Sequence, residues 1–395
     1  MLSVTCHKPP ARLADDHAAT AQCHLPQPDG HWGGRRLGRA AVTHAFLTAV
    51  LLGVAAAPGC ADGAPMPRIS VHGQRLYAGA TPWRAWGFNW GIGNDMKVLY
   101  DFDDPTASRL RVLSSELRTA RLMGANSMRV YLELGQVMQS PNQARPSTLT
   151  ALRLRLWVAE RDRVYLDITG DLVWLPKRSP AWYDALSEQA RWQVQANFWT
   201  AIVRTAASSP AVLCYELTSE PIVSQAPGYY LGDIAGWTFV QSIAIGRRHH
   251  ARALARAWTS LLAGAVRHQD NRPVSIGLLP TLTGAFAPQN VADLLDMLIV
   301  HQYPQTDTAQ DAVSLTRRFS RFHKPLLLGE TFLLNDDVPT QSQFLLATAR
   351  YLVGAFEFYD GRDPSPMAVT CIPDAIYRTT LRQFISLRAA LLEPR

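Results

Sequence analysis

From Arg84 onward one grammar repeats along the chain: a short apolar run rich in strand-forming residues, a polar or glycine-bearing loop, then a helix-period segment. The strand runs are Arg84–Asn89, Asn126–Tyr131, Val164–Ile168, Ala211–Leu217, Pro273–Leu279, Met297–Tyr303, Pro325–Gly329 and Gly354–Tyr359. Helical spacing is read over Thr106–Met123, Leu149–Arg161, Ser187–Ala207, a segment beyond Trp237 to about Arg267, Val291–Asp296, Ala309–Phe322, Gln341–Tyr351 and Ile376–Leu392. Eight strand–helix units predict an α/β fold, the (β/α)8 barrel, which keeps its chemistry at the C-terminal ends of its strands. The doubly wound alternative lacks its cue, since no GxGxxG follows an early strand. Ahead of the first unit, Ile69–Val71 and Arg75–Tyr77 flank a turn at His72-Gly73-Gln74. They predict an N-terminal β-hairpin that plugs the bottom of the barrel.

The chain has 395 residues, 47% hydrophobic and 18% charged, ample for a large core and unlike a disordered chain. No linker or composition shift divides the body, so residues 61–395 are expected to form one domain. The net charge is +7. Its local runs, Arg247-Arg248 and Arg317-Arg318, read as solvated helix faces, and no nucleic-acid partner is expected. Of five cysteines, Cys6, Cys23 and Cys60 precede the body, leaving Cys214 in an apolar strand and Cys371 near the C-terminus. That is no disulfide framework. Without CxxC, HExxH or helical His spacing, neither a metal nor another cofactor is expected.

Residues 1–60 read as a leader. Arg35-Arg36 and Arg39 precede the mostly apolar Ala45–Ala57, which small residues follow, as in a secretory signal. The run is too short to span a bilayer, which takes about 20 residues. Cleavage near Ala57 or lipid attachment at Cys60 are the two processing routes. Either way the mature chain is expected to be exported, with no membrane-spanning segment.

Two strand ends carry carboxylates. AVLCYELTSEP (Ala211–Pro221) delivers Glu220 after a buried strand, and KPLLLGE delivers Glu330, 110 residues later. Arg129, His301 and Tyr303 also fall at strand ends, so a barrel turns all five toward one pocket. Singly, each has an ordinary structural explanation, as a salt-bridge partner or a core histidine. Together they match a retaining glycosidase, which needs one carboxylic acid and one carboxylate about 5–5.5 Å apart.

With GFNW, GANSMRVY, YELTSEP, HQYP and KPLLLGE, the chain resembles the cellulase-like glycoside hydrolases of family 5 and related (β/α)8 retaining enzymes. The resemblance covers most of residues 68–390. It implies that Glu220 is the acid/base and Glu330 the nucleophile. Arg129 and Tyr303 would hydrogen-bond the nucleophile, and His301 would line the cleavage subsite. Asn89, Trp90, Trp174, Ser219 and Phe358 complete the expected carbohydrate-binding set, with Tyr230 and Trp237 as further stacking candidates. Three positions depart from the pattern. Ser219 stands where the family has Asn, Thr169 where the third strand ends in His, and Phe356, Phe358 or Tyr359 must replace a Trp platform. The departures bear on the sugar more than on the reaction.

The leading expectation is a β-glycoside hydrolase acting on a poly- or oligosaccharide of β-mannan or β-glucan type. A transglycosylase using the same glutamates and a catalytically inactive carbohydrate-binding barrel are the alternatives. Retention of both glutamates with Arg129 and Tyr303 weighs against the inactive barrel, which needs none of that set.

Overall fold

The structure, a computed structural model, describes residues 65–90, 107–171, 179–224, 230–231, 240–245, 248–333, 336–359, 362–365, 369 and 372–393. The expected leader with Cys60, and Trp174, Trp237 and Cys371, lie outside them. The strands are β1 (Ile69–His72), β2 (Arg75–Ala78), β3 (Thr81–Trp83), β4 (Ala85–Trp90), β5 (Ser127–Glu133), β6 (Met138–Ser140), β7 (Gln143–Ala144) and β8 (Tyr165–Asp171). They continue as β9 (Val212–Ser219), β10 (Pro221–Ser224), β11 (Tyr230–Leu231), β12 (Val240–Ile245), β13 (Val274–Leu278), β14 (Leu298–His301), β15 (Leu326–Thr331) and β16 (Gly354–Tyr359).

Eight of these, β4, β5, β8, β9, β13, β14, β15 and β16, pair in parallel in chain order and close with β16 beside β4. This is the expected (β/α)8 barrel. The central strands are buried on both faces, β8 and β9 throughout, which is why they read as apolar runs rather than alternating ones. Helices cover the outside, and their starts carry local signals. Ser187 caps Glu188–Ala206 by accepting from the Ala190 N–H at 3.3 Å. Asp337 caps Val338–Thr348 by accepting from the Thr340 N–H at 2.8 Å, with Pro339 in the first turn. Between sheet and helices lie the largest apolar side chains, with Trp86, Trp199 and Trp258 fully buried.

The N-terminal hairpin gains a third strand, giving the antiparallel sheet β1-β2-β3. Its side chains Ile69 and Leu76 are buried. Tyr165, at the start of β8, donates its hydroxyl to the Pro67 carbonyl at 2.7 Å. Arg68 donates to the carbonyl of Ala207, just past the helix that leads into β9, at 3.0 Å. These contacts seat the hairpin at the N-terminal end of the barrel, opposite the strand ends that carry the polar residues.

One segment differs from expectation. The loop after Glu220 and the helix expected beyond Trp237 are instead a small sheet in the order β10-β12-β11, with β10 and β12 parallel. The helix begins only at Ala251. Val240, Ile243 and Ile245 are β-branched and favour a strand, and pairing with Pro221–Ser224 satisfies backbone groups that would otherwise be left open.

Candidate active site

Alternation along strands and register between them bring the polar residues to one level. Asn89 sits opposite Arg129, Tyr131 opposite Thr169, Thr169 opposite Glu216, and His301 opposite Glu330. Arg129 is fully buried, and its fork of donors organises the group. Nε donates to Glu216 Oε2 at 2.9 Å and to Thr169 Oγ1 at 3.1 Å, and Nη2 donates to Glu216 Oε1 at 2.5 Å. Nη1 donates to Asn89 Oδ1 at 3.0 Å and also to Glu330 and to the Tyr131 hydroxyl. Asn89 is itself fixed by donating Nδ2 to the Gly329 carbonyl at 2.8 Å.

Glu330 therefore has donors on both oxygens. Oε1 receives Arg129 and, at 3.3 Å, the Tyr131 hydroxyl; Oε2 receives the Tyr303 hydroxyl at 2.5 Å. Burial pushes its pKa up, but the charges of His301 and Arg129 and the bonds from Tyr303 and Arg129 outweigh burial. The carboxyl is held below the usual glutamate range. The phenols of Tyr131 and Tyr303 move well above theirs, through burial and then, for Tyr303, the charges of Glu330 and Glu220. Both stay protonated as donors.

Glu220 faces Glu330 across the mouth. The two side chains are each 12% exposed, and His301 is fully buried between them. His301 Nδ1 lies 2.9 Å from Glu220 Oε1 and 3.5 Å from Glu330 Oε1. Burial disfavours its charge, but the two glutamates overcome this and raise its pKa above the ordinary histidine value. The ring needs space that only glycine leaves. A Cβ on Gly277 would stand 2.4 Å from Glu216 Oε1 and 2.8 Å from His301 Nε2. Glu220 has φ of +47°, a left-handed conformation disfavoured for a side-chain-bearing residue and more so before proline. Its N–H donates to the Gly277 carbonyl at 2.7 Å, which holds the turn.

Two residues escaped the sequence reading. Tyr131 lies two positions past Arg129 and so shares its face. Glu216 lies four before Glu220, and a lone acid inside an apolar strand was its visible signal. Behind Glu216, Asp167 is fully buried and accepts from Cys214 Sγ at 3.1 Å. Burial and then the charge of Glu216 raise its pKa well above the aspartate range.

The remaining expected residues are dispersed. Ser219 is buried opposite Gly277. Phe358 stacks parallel to Tyr303 with centroids 6.3 Å apart and meets Phe332 edge-on at 6.0 Å; at 8% exposure it supports Tyr303 more than it offers an open platform. Phe356 and Tyr359 are fully buried. Trp90 ends β4 opposite Tyr359, and Tyr230 opens β11.

By donor type, Glu220, His301 and Glu330 can hold a cation, with ligand atoms all within 4.8 Å of one another. However, Glu330 already accepts from three protein donors, and the fixed positive charge of Arg129 lies against it. That arrangement suits a carboxylate pair better than a metal cage.

The closed (β/α)8 barrel is a fold that solved glycoside hydrolase structures share. The fold matches solved structures of that class. GH5_18 from Streptomyces cattleya, in complex with GlcNAc, superposes with a TM-score of 0.58 at 14% identity, over 78% of this chain and 80% of that one. A β-1,4-mannanase from the sea hare Aplysia kurodai gives 0.55 at 14% identity, over 81% and 96%. GH5_18 from Bifidobacterium longum subsp. infantis gives 0.55 at 13%, over 79% and 80%. No family model matches the sequence, and no curated protein matches it.

Proposed function

We propose that this chain is a retaining β-glycoside hydrolase acting on β-linked glucose- or mannose-containing glycans or glycosides. The observation that carries the reading is the carboxylate pair. One oxygen of Glu220 and one of Glu330 lie within 4.8 Å of each other, a closeness that supports the side-by-side carboxyl groups of retaining enzymes, about 5–5.5 Å apart, over the roughly 6.5–9.5 Å that admits a water for inversion. Arg129, Tyr131 and Tyr303 keep Glu330 ionised and aimed, as a nucleophile requires. Glu220 protonates the departing oxygen as Glu330 attacks the anomeric carbon. It then takes a proton from the water that releases the sugar. His301, against both carboxylates, gives the proton on Glu220 a neighbouring site.

The test separates the two glutamates on activated aryl β-glucosides and β-mannosides. Glu330→Gln removes turnover. Glu220→Ala retains the first step on a good leaving group and stalls at the glycosyl-enzyme. Azide then restores turnover and yields a β-glycosyl azide. Absence of that rescue, with equal losses on good and poor leaving groups, makes Glu220 structural and gives the lead to an inactive carbohydrate-binding barrel.

Export is part of the proposal, motivated by Arg35-Arg36 ahead of the apolar Ala45–Ala57. Among the described residues no helix is long and apolar enough to cross a membrane. Intact mass of envelope-derived protein reads out the cleavage point, or a lipid on Cys60.

A further inference from the structure

The chain leaving Glu220 forms one wall of a cavity of about 400 Å3, within the range of small-molecule sites. Pro221, next after Glu220, opens that wall, and β10 carries Ile222 and Val223 along it. The opposite wall follows the end of β13, with Leu279, Ala285 and Phe286. The β10 wall is fixed rather than loose. It pairs with β12, the Ser224 N–H donates to Ser242 Oγ at 3.2 Å, and Trp192 Nε1 donates to the Ile243 carbonyl at 2.8 Å.

The polar groups of the second wall are already engaged with one another. The hydroxyls of Thr281 and Thr283 lie 2.9 Å apart, and the Thr283 N–H donates to Thr281 Oγ1 at 3.1 Å. Asn290 Nδ2 donates to the carbonyls of Gly284 at 3.0 Å and Ala285 at 3.1 Å. Phe286 is 7% exposed and packs edge-on to Trp258, so it offers no ring face to a sugar. Among the described residues, no charged side chain lines this cavity. The walls offer no open aromatic platform, and their few hydroxyls, on Ser224, Thr281 and Thr283, are outnumbered by the apolar side chains of Pro221, Ile222, Val223, Leu279, Ala285 and Phe286.

We propose that this cavity seats the leaving group, and that the leaving group is an alcohol with an apolar chain. The inference rests on the retaining-glycosidase reading above, because it uses Glu220 as the acid. Glu220 gives its proton to the glycosidic oxygen as the C1–O bond breaks to Glu330. The neutral alcohol is then released into walls that begin at the residue after Glu220. Water attacks the glycosyl-enzyme, Glu220 regains a proton, and the products are a free sugar and the alcohol.

The experiment uses the full chain with butyl, hexyl and octyl β-glucosides and β-mannosides, kept below micelle-forming concentrations. Cellobiose and mannobiose serve as sugar leaving groups, and the β-glycosyl fluorides as substrates whose leaving group is a single atom. For whichever sugar is hydrolysed as the fluoride, kcat/KM rises about two- to fourfold per methylene, the gain expected for burying a CH2. The octyl glycoside then exceeds the disaccharide. Ala285→Phe, which narrows the cavity at a half-buried loop position, lowers the octyl-to-fluoride ratio of kcat/KM about tenfold. A flat chain-length series, or a disaccharide preferred over the octyl glycoside, overturns the proposal while hydrolysis of the fluoride leaves the glycosidase reading standing. Failure to hydrolyse either fluoride removes both.

Discussion

At the scale of residues, the site turns on one guanidinium shared by two carboxylates. Arg129 binds Glu216 through two nitrogens and reaches Glu330 through the third. Glu330 must be ionised to attack, so the acid limb of kcat/KM follows its depressed pKa and lies below the ordinary glutamate value of 4.5. Arg129→Lys loses the fork that serves both acids at once. The limb is expected to move to higher pH, and kcat/KM to fall about 10²–10³-fold, as when one preorganised donor is lost. Glu216→Gln should shift the limb the other way, because the charge of Arg129 is then answered by Glu330 alone. A pH profile of each variant on an aryl glycoside decides this, and limbs moving in the same direction would refute the shared-cation account. Arg129, Glu220, His301, Tyr303 and Glu330 were legible as strand-end polar residues. Glu216 was not, because an acid in mid-strand has no meaning until the register sets it against Arg129. The packing of Phe358 against Tyr303 likewise depends on a contact between β16 and the residues after β14, which no local pattern carries.

At the scale of elements, the junction of β9 and β10 is where local preference and placement conflict. Glu220 takes a left-handed backbone directly before Pro221, a conformation that costs on the order of 1–3 kcal/mol in a residue with a Cβ. The turn persists because its N–H is bonded to Gly277 and the chain beyond is captured by β12. The usual ranking of alanine over glycine should therefore reverse here. Glu220→Gly is expected to be more stable than Glu220→Ala by about 0.5–1 kcal/mol, since glycine removes the φ penalty and gives back part of that as unfolded-chain entropy. Urea unfolding of the two inactive variants measures it, and an alanine variant that is the more stable contradicts strain at this position. The barrel strands were readable because each is an apolar run bounded by turn residues. The small sheet was not, because β10 spans only four residues and its partner β12 comes after an intervening strand, β11. Long-range parallel pairing leaves no mark on local periodicity.

At the scale of the whole molecule, alternation predicts the strand count but not how the closed barrel treats its buried charges. Asp167, Asp171 and Glu357 are all buried, and burial first, then neighbouring acids, raises each well above its ordinary value. A carboxyl raised in the folded state stabilises fully below its unfolded value, 3.8 for Asp and 4.5 for Glu. That contribution is lost as pH climbs toward the folded value. Glu330, being depressed, works the opposite way: its contribution is present above 4.5 and lost as pH falls through its folded value. Asp167, Asp171 and Glu357 each therefore contribute a loss of stability as pH rises, and the raised His301 works in the same direction. Glu357 isolates the effect, because it lies on β16 outside the Arg129 network. One of its oxygens accepts from the Phe358 N–H at 3.1 Å, and the other is buried without a hydrogen-bond partner among the described residues. Glu357→Gln keeps the accepting oxygen and the shape and cannot ionise. The variant should match wild type near pH 4.5 and exceed it progressively above, by about 1.4 kcal/mol for each unit that the folded pKa exceeds 4.5. Urea titrations of both proteins between pH 4.5 and 8 measure the divergence. Parallel stability curves would mean that Glu357 ionises as freely in the folded barrel as in the unfolded chain.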